Sequence, residues 1–84
     1  MMALPSVNMT KTGENIAAMR INAGMTVREL QNILGFTTPQ AIYKWQQGQS
    51  LPAIDNLVVL ATIFGVTMDE IIVTDNDIIR CGIV

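Results

Sequence analysis

Gln40, Tyr43, Lys44 and Gln47 stand at the i, i+3, i+4 and i+7 positions of a helix, so their side chains share one face. Two amides, a phenol and an ammonium are groups for recognition by hydrogen bonding. A Gln amide donates and accepts at once and so matches the edge of adenine; a Lys ammonium reaches guanine acceptors or a phosphate; a Tyr offers its ring to a thymine methyl and its hydroxyl to a phosphate. Side chains near the start of such a helix approach base edges most closely, which places Gln40 first, with Thr38 just ahead of it. Ile42 and Trp45 fall on the opposite side, and their spacing marks them as core. An ordinary solvated face has a similar composition, so the segments around it must decide between the two.

Those segments are short helices punctuated by Gly24, Gly35, Gly48 and Gly65, each following an apolar-periodic stretch where a left-handed terminating residue is expected. A first helix is expected from about Gly13 to Ala23, with Thr12 as its cap and Ile16, Met19 and Ala23 as its buried stripe. Thr26-Val27-Arg28-Glu29 is a capping box that opens a second helix, with Leu30, Ile33 and Leu34 facing inward. Pro39 is expected at the first position of the third helix, which makes Thr38 its cap. A fourth helix runs from about Ala53 to Phe64 on a stripe of Leu57, Leu60, Ala61 and Phe64, and Thr67-Met68-Asp69-Glu70 is a second capping box for a short fifth helix ending near Val73. No strand is expected before residue 74. The result is two capped helices joined through a glycine turn, with the second presenting Gln40, Tyr43, Lys44 and Gln47: a helix-turn-helix suited to a DNA groove.

Groups that fix register on a phosphate backbone are the amides around Val27, the Arg28 side chain, Thr37 in the turn, and Gln47, Gln49 and Ser50 just past the third helix. Catalysis has little to work with: the chain has no histidine to act as a base, and Cys81 is its sole cysteine. The same two facts exclude an intramolecular disulfide and zinc sites built on Cys/His pairs, and no cofactor or metal is expected. With 84 residues, 50% of them hydrophobic, the chain suits one domain. Lacking an apolar run of membrane length or a secretory start, it is expected to be cytoplasmic.

The formal charge of −2 is unusual for a protein that holds a polyanion, but it conceals a gradient. Up to Pro52, four cations (Lys11, Arg20, Arg28, Lys44) meet two carboxylates, a net of +2; from Ala53 onward five carboxylates meet only Arg80, a net of −4. The acid lies away from the reading face. With few cations, backbone amides, amide side chains and a second copy of the domain must supply much of the affinity.

With these segments placed, Thr26 to Ile71 resembles the DNA-binding domains of phage repressors, Cro proteins and xenobiotic-response-element-type regulators. The resemblance rests on Thr-Val-Arg-Glu-Leu at 26 to 30, Leu-Gly-Phe at 34 to 36, Ala-Ile-Tyr-Lys-Trp-Gln-Gln-Gly at 41 to 48, Leu-Pro at 51 to 52 and Phe-Gly-Val-Thr-Met-Asp-Glu-Ile at 64 to 71. It implies an all-α, lambda-repressor-like bundle of four or five short helices in which the helix beginning at Pro39 enters the major groove. Two positions depart from the pattern. The turn between Leu30 and Ile42 is one residue longer than usual. Where the family commonly pairs a glutamate with an arginine on the first helix, this chain has Gln46, so Arg20 is expected to meet a neutral amide.

Three segments are expected: an N-terminal arm over 1–12, flexible; the DNA-binding domain over 13–73; and a tail over 74–84. In the tail, Asp75-Asn76-Asp77 signals a turn, and Ile78, Ile79, Ile83 and Val84 are apolar and β-branched, suited to a strand that pairs with the same segment of a second subunit. The expected function is sequence-specific binding of double-stranded DNA as a homodimer, with repression by occupying a palindromic operator whose half-sites lie about 34 to 36 Å apart. A second expectation, of another class, is an interaction module whose acidic C-terminal half binds a protein partner, such as a toxin in an antitoxin role.

Overall fold

The computed structural model describes residues 5–75. Five helices follow one another: α1 (Met9–Asn22), α2 (Val27–Leu34), α3 (Gln40–Gln46), α4 (Ile54–Phe64) and α5 (Met68–Ile71). A two-residue strand at each end, β1 (Ser6–Val7) and β2 (Thr74–Asp75), pairs antiparallel with Ser6 opposite Asp75 and Val7 opposite Thr74. No helix among these residues is long and apolar enough to cross a membrane.

One core serves all five helices. Ile16, Leu30, Ile42, Trp45, Leu57, Leu60, Ala61 and Ile71 are buried together, drawing at least one side chain from each helix. The stripe on α4 is as expected, with Phe64 half-buried at its end. On α2 the expectation fails at Ile33, which is 54% exposed. The inward stripe there is Val27, Leu30 and Leu34, of which Leu30 is fully buried, and at 100° per residue Ile33 lies roughly a quarter of a turn off its centre. Both capping boxes form: Thr26 accepts from the Glu29 amide while Glu29 accepts from the Thr26 amide, and Thr67 and Glu70 do the same.

The ends of the domain differ from expectation. α1 begins at Met9, so the boundary drawn at residue 12 falls inside a helix, and Asn8 is the cap, accepting from the Lys11 amide at 2.9 Å. Thr12 is instead fully buried in the helix, where its Oγ1 accepts from the Val73 amide at 2.9 Å and donates to the Val73 carbonyl at 3.3 Å. Its hydroxyl does the work of a strand neighbour. Asn15, one turn on, donates to the carbonyls of Glu70 and Ile71, and Asn8 donates through its backbone to Val73 and through its side chain to Asp75. This polar ladder draws the chain after Ile71 into extended form, which is why α5 stops there and not near Val73.

At the other end of α1, the helix stops at Asn22, and Ala23 is an exposed cap residue outside the stripe. The strand at 6–7 is too short to have left a sequence pattern, and the only pairing of Thr74–Asp75 among the described residues is with it, within the same chain. Ile78, Ile79, Ile83 and Val84 lie outside the described residues.

Thr12→Val keeps the shape of the side chain and removes the hydroxyl, leaving the Val73 amide without its partner. A loss of about 1–3 kcal/mol in urea unfolding is expected, and an unchanged midpoint would show that the ladder is dispensable.

Candidate nucleic-acid interface

α3 is a seven-residue helix held between two turns, and each turn has an identifiable fastening. On the N-terminal side, Gly35 ends α2 in the left-handed conformation at φ 74°, which a side chain would strain. The residues that follow are tied back by Gln31: its carbonyl accepts from the Phe36 amide at 3.1 Å, and its side chain donates to the Phe36 carbonyl at 3.3 Å. The Phe36 ring then packs edge-on against Trp45, with centroids 5.8 Å apart and the planes at 67°. The longer turn is therefore anchored in the core by its own aromatic residue. Gln31 and Phe36 were not singled out as site residues from the sequence; the apolar residue placed directly after the helix-ending glycine was the available signal.

Thr37, Thr38 and Pro39 form a bend. Pro39, not Thr38, occupies the cap position: its carbonyl accepts from the Tyr43 amide at 3.1 Å, and no side chain caps the helix. The expected assignment thus shifts by one residue. With φ −85° and ψ 3°, Pro39 is already turned toward the helix without having entered it. Thr37 and Thr38 are exposed beside the first turn.

The two sides of α3 separate as the spacing requires. Ile42 is fully buried and Trp45 is 4% exposed, whereas Gln40, Tyr43, Lys44 and Gln47 are exposed. Past the helix, Gln49 donates to the Gln47 side-chain oxygen at 2.8 Å, joining two of the expected phosphate contacts, and Ser50 is half-buried. Arg28 is exposed in the first turn of α2, and Val27 is half-buried at its first position. The Thr26 and Glu29 amides are taken by the capping box, which leaves the Val27 and Arg28 amides as the donors of that turn without an intrahelical acceptor.

From α1, Arg20 donates through Nε to the Gln46 side-chain oxygen at 3.0 Å and through a terminal nitrogen to the Met25 carbonyl at 2.7 Å. The guanidinium meets the neutral amide expected of it. Gln46→Glu would turn this contact into a charge-assisted pair, and a gain of about 0.5–1 kcal/mol in urea unfolding, diminishing with salt, is expected. A loss of stability would mean that desolvating the carboxylate outweighs the pairing.

Comparison with known proteins agrees with this geometry. A helix-turn-helix family model matches residues 16–71. No curated protein matches the chain. Among solved structures, the restriction-modification controller protein C.AhdI from Aeromonas hydrophila is similar with a TM-score of 0.65 at 21% identity, over 75% of this chain and 94% of that one. The S. venezulae BldD DNA-binding domain is similar with a TM-score of 0.63 at 17% identity, over 76% and 94% of the two chains. The clp gene regulator ClgR from C. glutamicum gives a TM-score of 0.63 at 17% identity, over 75% and 80%. The fold is lambda-repressor-like, and the small terminal sheet is an addition to an otherwise helical bundle. The chain belongs to the helix-turn-helix family of Cro and phage-repressor type, whose fold is that of DNA-binding transcriptional regulators.

Proposed function

We propose that the chain binds duplex DNA sequence-specifically as a homodimer, and represses transcription by occupying a palindromic operator. The observation that carries this reading is the division of α3: Gln40, Tyr43, Lys44 and Gln47 are exposed at the surface while Ile42 and Trp45 lock the other side into the core. Gln40 and Tyr43 read base edges, with Lys44 and Thr38 beside them. Val27, Arg28, Thr37, Gln47, Gln49 and Ser50 hold the backbone. Selection from random duplexes at low salt tests it. An enriched palindrome is the expected result. The absence of enrichment, with retained binding to a co-purified protein, would favour an interaction module acting through the carboxylates Asp55, Asp69 and Glu70, which are exposed on α4 and α5.

Dimerisation is assigned to Ile78, Ile79, Ile83 and Val84. Truncation after Asp75 keeps the pairing of β1 with β2 and removes all four. Sedimentation should then give the monomer mass; an unchanged dimer would move the interface elsewhere, with Ile54 and Val58, one turn apart on α4 and 71% and 46% exposed, the first residues to test.

A further inference from the structure

We infer that Gly13 and Gly48 are positioning residues for base reading: they let α1 and α3 touch backbone to backbone, and this contact sets the angle at which Gln40 is presented. The inference rests on the reading just proposed.

Gly13 lies inside α1, where glycine costs about 1 kcal/mol relative to alanine, so something must favour it there. A Cβ at Gly13 would overlap the carbonyl oxygen of Trp45 and lie 2.8 Å from that of Gln46. Both carbonyls belong to the last turn of α3, and the Trp45 carbonyl also accepts from the Gly48 amide at 3.1 Å to close that turn. Gly48 makes the reciprocal approach. A Cβ there would lie 2.9 Å from Thr10 Cα and 3.1 Å from Thr10 N, in the first turn of α1. Arg20, two turns along α1 from Gly13, grips Gln46 on the same stretch of α3.

The C-terminal end of α3 is thus clamped against α1 at backbone distance, whereas its N-terminal end has no side-chain cap. A helix of seven residues is about 10 Å long and moves as a rigid rod, so displacement at Trp45 and Gln46 tilts Gln40. A bidentate amide contact to a base tolerates little error in distance or angle, whereas flexible side chains on phosphates tolerate much more. Displacement should therefore reduce discrimination between sequences more than overall affinity.

Gly24 supplies the control. Its φ of 71° nearly equals the 75° of Gly48, yet beyond the adjoining residues of the chain no atom lies within 4 Å of a Cβ placed there. G24A therefore carries the left-handed backbone strain alone, and G48A carries the same strain plus the collision with α1. The two variants and G13A are compared with the unaltered chain in urea unfolding, in binding to the duplex it enriches and to a random-sequence duplex of equal length, and in amide NMR shifts.

In the folded state, G24A should keep the ratio of specific to random affinity and leave the shifts of Gln40 to Ile42 unchanged. G48A should lower that ratio at least about fivefold, the lower end for one bidentate contact, and move those shifts although they lie six or more residues away. G13A should behave like G48A. If G13A does not fold, the comparison of G48A with G24A decides. A G48A that matches G24A in ratio and shifts would overturn the inference. Failure of the unaltered chain to enrich any duplex would count against the DNA-reading function itself, and is seen before any variant is made.

Discussion

Trp45→Ala is expected to lower stability by about 3–5 kcal/mol, the range for removing a buried aromatic side chain. Trp45 is 4% exposed, forms part of the core shared by all five helices, and carries Phe36 edge-on against its ring. Its removal opens a cavity under α3 and releases the turn that Phe36 anchors. Small domains have only about 5–15 kcal/mol in total, so a large share of the molecules should be unfolded at 37 °C. Urea unfolding followed by far-UV circular dichroism measures this, and a loss below about 1 kcal/mol would mean that Trp45 is not the structural side of α3.

Gln40→Ala is the matching experiment on the other side of the same helix. Because Gln40 is exposed, stability should change by no more than about 0.5 kcal/mol. Affinity for the enriched duplex should fall by about 1–3 kcal/mol, roughly 5- to 150-fold, with little change on random DNA. Equal losses on both duplexes would reassign Gln40 to a phosphate contact. The pair of variants separates the two roles of α3: one disrupts the fold, the other leaves it intact and removes recognition.

Much of this was legible in the sequence because it is written in local signals. The capping boxes at Thr26 and Thr67 satisfy backbone groups three residues away, and the Ile42 and Trp45 spacing is set by the helical repeat, so neither depends on distant contacts. Two of the positions that differed from expectation, Thr12 and Gly13, depend on distant partners. Thr12 looks like a cap from its neighbours, but Val73, 61 residues away, takes its hydroxyl and Asn8 takes the cap. Gly13 reads as the start of a helix and is instead retained inside one by the backbone of α3. Ile33 satisfies the apolar pattern of α2 yet lies off the buried side, since eight residues define a stripe only loosely. At the interface, the exposed set on α3 follows from spacing alone, whereas the fastening of the longer turn by Gln31 and Phe36 needed the folded chain to be seen.

Whether α3 is the surface that meets DNA is decided by amide and side-chain NMR mapping during titration with the duplex the chain enriches. The largest changes should fall on Gln40, Tyr43 and Lys44, with smaller ones at Arg28, Gln47 and Gln49 and none at the carboxylates of α4 and α5. Changes centred on Asp55, Asp69 and Glu70, with Gln40 and Lys44 unmoved, would contradict that role for α3.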